Sequence, residues 1–113
     1  MGKIHSKISI SHFAGIKRTD LNTIVYCKAE GNYTRIYTKN RNFVISQVLK
    51  TVESALPKDL FLRIHKSYLI NLNYVTGIKQ ENIVVLEPNI ELPIARRRKS
   101  KILVELSKYF ITF

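Results

Sequence analysis

With a single cysteine, Cys27, the chain forms no intrachain disulfide, so burial and hydrogen bonding alone must hold its fold. Cys27 lies in the apolar run Ile24, Val25, Tyr26, Cys27. It reads as a small buried hydrophobe, and a chain without disulfides suits a cytoplasmic location. Acids are also scarce, with eight Asp and Glu against nineteen Lys and Arg. They are scattered, and no two are spaced for general acid–base work. No phosphate-binding glycine loop is present, and His5, His12, His65 and Cys27 lack metal-ligand spacing. The expectation is therefore no enzyme, no metal and no cofactor. No apolar run is long enough to cross a bilayer, and the N-terminus lacks the apolar stretch of a signal peptide. Met1, Gly2 and Ser6 do fit a myristoylation pattern, one short enough to arise by chance. No membrane partner is expected.

What the chain does have is positive charge. Its 113 residues carry a formal net charge of +11, and the sequence pI is about 10.0. A folded domain this basic repels itself, which points to a polyanionic partner. Nucleic acid is the first candidate and an anionic membrane surface the second. Hydrophobic residues make up 45% of the chain, enough for one core, so residues 1–113 read as a single domain.

Strand signals dominate. Residues 7–10 alternate with period two, and residues 13–17 read as a second short strand. Residues 20–22 read as a turn or one helical turn. Residues 24–29 are β-rich and mostly apolar, so they predict a central strand. Gly31 and Asn32 mark a turn. Residues 33–38 then alternate, with Tyr33, Arg35 and Tyr37 on one face and Thr34, Ile36 and Thr38 on the other. A polar turn at 39–42 and a strand at 43–45 complete an antiparallel meander. Ser46 predicts the N-cap of a short middle helix, whose Val48, Leu49, Val52 and Leu56 share a face and which Pro57 ends. Residues 61–71 have apolar ends and a polar centre, predicting a break near Lys66 and Ser67. A hairpin around Gln80, Glu81 and Asn82 follows, then a short edge strand holding Pro93. Residues 96–110 read as a C-terminal helix with Ile102, Leu103, Leu106, Tyr109 and Phe110 on its apolar stripe. The class is mostly β, with one middle and one C-terminal helix.

Three groups of residues are candidates for binding. Arg96, Arg97 and Arg98, with Lys99 and Lys101, crowd the predicted start of the last helix. Cations are disfavoured there by about 0.3–1 kcal/mol each, whereas a bound phosphate would reverse the sign. Arg63, His65 and Lys66 form the second group. Arginine can read guanine, and Lys66 and Ser67 can hold phosphates; a lone histidine is more often packed than a ligand. The third group adjoins the 31–32 turn. Asn32, Thr34 and Arg35 are its contact candidates, and Tyr33 and Tyr37 read as sheet-face aromatics.

Four segments together resemble the LytTR domain, the DNA-binding output domain of the LytR/AlgR class of bacterial response regulators. They are IVYCKAEGNY (24–33), FLRIHKSYLIN (61–71), PIARRR (93–98) and the helix from Val48 and Leu49 to Leu56 and Pro57, in matching order and spacing. The resemblance implies an elongated stack of antiparallel sheets. It implies loops that enter successive major grooves of double-stranded DNA, and regulation of transcription. The reading loops would be the hairpin at 32–35, the bend at His65, Lys66 and Ser67, and the turn at 95–98. Such domains typically bind direct repeats as two molecules and often follow a receiver domain, which this chain lacks. Two positions depart from the pattern: Lys28 stands where many members have an acid, and Ala95 where many have serine. The alternative is a β module for RNA or single strands, which would show aromatics on a basic sheet face.

Overall fold

The computed structural model describes residues 7–12 and 15–109. Among them, ten strands form three antiparallel sheets, joined by two α-helices and three 3-10 turns. The principal extents are 45 × 36 × 24 Å. β1 (Lys7–His12) and β2 (Gly15–Asp20) form a hairpin with Lys7 opposite Asp20. The second strand therefore runs further than the expected 13–17, and residues 13 and 14 lie outside the described residues. Asp20 then caps the 3-10 turn Leu21–Thr23 by accepting from the Asn22 N–H at 2.9 Å.

The largest sheet contains β3 (Ile24–Glu30), β4 (Tyr33–Thr38), β5 (Asn42–Ile45), β6 (Phe61–His65) and β7 (Tyr68–Asn71), in the order β5-β4-β3-β7-β6. β3 is central, as its apolar composition predicts, and both faces of the sheet are covered. Ile24, Cys27, Ile36, Phe61 and Leu69 face α1 (Leu49–Ala55) in one core. Val25, Ile64 and Ile70 join a second core on the opposite face. Ile24 and Cys27 share a face although three residues apart, because a bulge between Ile24 and Tyr26 inserts one extra residue and shifts the alternation.

β8 (Val75–Lys79), β9 (Ile83–Leu86) and β10 (Ile90–Pro93) form a second sheet in the order β10-β9-β8. Pro93 thus sits in an edge strand, where its missing N–H breaks no ladder. α2 (Lys99–Ser107) covers this core with Ile102 and Leu106.

Both helices differ from expectation at their ends. Val48, not Ser46, stands at the N-cap of α1 and makes no side-chain cap. The reason is tertiary: the buried Thr34 hydroxyl donates to the Gln47 carbonyl at 2.7 Å and holds the chain extended up to that point. At the C-terminus, Arg96–Arg98 form a separate 3-10 turn, and α2 stops at Ser107. Tyr109 is 49% exposed and so leaves the predicted apolar stripe; Phe110 lies outside the described residues.

Candidate nucleic-acid interface

One end of the five-stranded sheet gathers the three candidate groups. β3 and β4 close through Gly31 and Asn32, and Gly31 takes φ +62°, a left-handed conformation that favours glycine. β7 lies on the other side of β3 with Lys28 opposite Tyr68. The Ala29 N–H donates to the Ser67 carbonyl at 2.9 Å, which sets the 65–67 bend beside the 31–32 turn. With strands about 4.8 Å apart, the two turns are centred about 10 Å from each other. The β6–β7 ladder slips between Arg63 and His65. Its irregularity leaves the Ile64 carbonyl free to accept from the Ala95 N–H at 2.8 Å. That bond draws the 95–98 turn to the same edge.

Within this frame the side chains differ sharply. Asn32 and Lys66 are exposed, as are Arg96, Arg97 and Arg98. The three guanidiniums and the Lys66 ammonium make no hydrogen bond or ion pair among the described residues. Arg35 is half-buried and engaged. Its Nε donates to the Glu30 carboxylate at 2.9 Å and a terminal nitrogen to Asn42 Oδ1 at 2.8 Å. That hydrogen bond holds the Glu30 carboxyl below its usual range. Thr34 is a correction. It is fully buried on the Ile36 face and its hydroxyl is spent on Gln47, so it offers no surface to a partner. The alternation that pairs Thr34 with Ile36 already carried that signal.

The 65–67 bend is built around Arg63, which is a scaffold and not a contact. Its Nε donates to the His65 carbonyl at 2.8 Å and one terminal nitrogen to the Lys66 carbonyl at 2.7 Å. The other reaches the Glu53 carboxylate of α1 at 2.7 Å. Phe61 faces α1, so alternation turns Arg63 the same way, and a cation there needs an acid such as Glu53. The Ser67 N–H donates to His65 Nδ1 at 3.0 Å, which leaves Nε2 as the protonated nitrogen of a neutral ring. Burial first, then Lys66, Arg63 and Arg98, hold the His65 pKa below its ordinary value. His65 packs on Tyr68 with ring centroids 5.6 Å apart. It also lines a concavity of about 520 Å³ with Asn82, Ile94, Arg96 and Lys99.

The sheet-face aromatics are largely occupied with one another. Tyr26 and Tyr37 stack at 4.3 Å, nearly parallel at 12°, and Tyr68 tilts against Tyr26 at 6.3 Å. Tyr33 is the exposed member, at 43%. Among the described residues no group of three His, Cys, Asp or Glu could hold a metal ion, and no helix is long and apolar enough to cross a membrane.

A small β domain with polar turns and unpaired cations along one sheet edge has the form of a nucleic-acid-binding module. The comparisons with known proteins specify which one. Residues 14–106 match the LytTr DNA-binding domain, and the chain belongs to that family, whose members are DNA-binding domains of transcription regulators rather than enzymes. It is 23% identical over 94 residues to the sensory transduction protein LytT of Bacillus subtilis, covering 80% of this chain and 39% of that protein. It is 26% identical over 101 residues to the heme-containing CO-sensing transcriptional regulator RcoM 2 of Paraburkholderia xenovorans, covering 85% and 38%. It is 29% identical over 85 residues to the transcriptional regulatory protein YpdB of Escherichia coli K12, covering 71% and 35%. The chain thus spans under two-fifths of the length of these relatives. Among solved structures, a LytTr DNA-binding domain from Bacillus cereus superposes with a TM-score of 0.77 at 20% identity, over 90% of this chain and 97% of that one.

Proposed function

We propose that this chain reads a specific sequence of double-stranded DNA through the turns at 31–32, 65–67 and 95–98, which enter successive major grooves, and that it regulates transcription in the bacterial cytoplasm. The observation that carries this reading is the set of unpaired cations on one hydrogen-bonded edge: Lys66, Arg96, Arg97 and Arg98, with Asn32, His65 and Ser67 among them. Cations left without acids in a folded domain repel one another, and a duplex, with one charge per about 1.7 Å of axis, relieves that repulsion. Arginine can read guanine in a groove, the role given to Arg97 and its neighbours, and lysine and serine can hold phosphates, the role given to Lys66 and Ser67. Arg35 contributes through the Glu30 pair that fixes it beside the turn. Two molecules on direct repeats, serving as the output part of a two-component-type or free-standing regulator, complete the reading.

The test is selection from a random duplex library, followed by anisotropy titration of the enriched sequence at two salt concentrations. The expected result is an enriched repeat, bound far better than scrambled duplex and weakened steeply by salt. Equal binding to single strands would transfer the function to a single-strand or RNA module, with Tyr33 as its exposed ring.

A further inference from the structure

The row of bonds that fixes the three turns does not stop at β4. Ala29 donates to Ser67 on one side and pairs with Thr34 on the other. Thr34 in turn pairs with Ile45 and donates its hydroxyl to the Gln47 carbonyl. The segment leaving β5 is therefore pinned at the same sheet edge, one strand beyond the 31–32 turn. Strand spacing puts it about 7 Å to the side of that turn. Ser46, Gln47 and Val48 are all exposed there. Ser46 caps nothing, and neither its hydroxyl nor the Gln47 amide has a partner among the described residues. Among the residues whose burial is described, two of the four exposed large hydrophobics, Tyr33 and Val48, flank this stretch. Lys50 follows in the first turn of α1, exposed and unpaired among the described residues. Helical side chains lean toward the N-terminus, so it points back over the same loop.

We infer that Ser46, Gln47 and Lys50 form a fourth DNA contact, which grips the sugar–phosphate backbone on the flank of the site next to the 31–32 turn; this rests on the duplex reading above. A hydroxyl, an amide and an ammonium are all donors, the complement of phosphate oxygens. The loop holds no arginine fork for a base edge. Val48 packs on sugar, which carries no sequence information. The contact therefore adds affinity and register, not specificity.

The experiment compares the 113-residue chain with the triple variant Ser46→Ala, Gln47→Ala, Lys50→Ala and with Lys50→Ala alone. Each is titrated against the selected duplex and a scrambled duplex at several salt concentrations. The triple variant should bind both duplexes several-fold more weakly by the same factor, with a salt slope shallower by about 1, while its melting temperature stays put. Lys50→Ala alone should give the same slope change, which keeps the test valid should the triple variant fold poorly. Unchanged affinity and slope, with Lys66→Ala weakened as expected, would remove the loop from the interface. A loss confined to the selected duplex would make Gln47 a base reader and overturn the backbone assignment. If the wild-type chain shows no duplex preference and Lys66→Ala changes nothing, the duplex reading itself has failed and takes this contact with it.

Discussion

Two neighbouring turns carry arginine in opposite ways. In the 65–67 bend, Arg63 spends its guanidinium on two backbone carbonyls and the Glu53 carboxylate, and its side chain is only 15% exposed. One strand away, Arg96, Arg97 and Arg98 stand exposed, with no partner among the described residues. The planar fork suits both tasks. What separates them is the face of the strand or turn from which each projects. The bend owes its shape to a half-buried cation, whereas the 95–98 turn takes its shape from backbone bonds and leaves its cations exposed. Loss of an arginine should therefore register as stability at one turn and as affinity at the other.

The largest expected effect lies at the scaffold. Arg63→Ala should cost about 2–3 kcal/mol of folding stability in urea denaturation, because it leaves Glu53 and two carbonyls without their donor. Arg63→Lys should recover only part of this, since an ammonium cannot span three acceptors held in a fork. If Arg63→Ala folds as firmly as wild type, the contrast between the turns is wrong. Arg97→Ala should invert the pattern. Its unfolding midpoint should stay within about 0.5 kcal/mol of wild type, while affinity for the selected duplex falls by about 1–3 kcal/mol if it reads a base. An equal loss on every duplex would make Arg97 a phosphate contact. Lys66→Ala tests the mixed case, a proposed contact residue carried on the scaffolded bend. It should weaken binding to all duplexes, with a salt slope shallower by about 1 and no change in melting temperature.

Smaller effects refine the same division. Thr34→Val keeps the side chain's shape but removes the hydroxyl that holds Gln47, and should cost about 1 kcal/mol of stability. His65 gives the smallest signal, and its sign follows from linkage. Its folded pKa is depressed, so the unfolded chain takes up the proton first as pH falls. The stability it contributes is whole above about 6.5, the ordinary histidine value, and is lost as pH drops through the lower folded value. His65→Asn keeps an acceptor for the Ser67 N–H but does not titrate. Between pH 7 and 5 its melting temperature should fall less than that of wild type; an equal fall would show that His65 is not strained by its neighbours.

Much of the candidate interface was legible in the chain because turns announce themselves locally. Gly31 with Asn32 and the polar centre at 63–67 each break an apolar pattern, and each is a turn in the structure, whereas the arginine run read as the start of the last helix and forms a separate 3-10 turn. The errors fall where a residue's role depends on something distant in sequence. Thr34 looked like a contact residue because it adjoins the turn, yet it is fully buried, pairs with Ile45 and spends its hydroxyl on Gln47. Ser46 looked like a helix cap, but a hydroxyl 12 residues upstream holds the next residue extended. Arg63 looked like a reader of bases until Glu53, 10 residues away, took its charge.

The sequence by itself determined the mostly β class, the position of the turns at 31–32 and 65–67 and the excess of positive charge, because strand alternation, turn chemistry and net charge are properties of short stretches or of simple sums. Only the tertiary structure decided that β7 pairs with β3, that a ladder slip frees the Ile64 carbonyl for Ala95, and that the cationic turns share one edge. Those outcomes depend on which strands lie side by side. That is settled by burying two apolar faces of one sheet at once, a condition no local window of the chain contains.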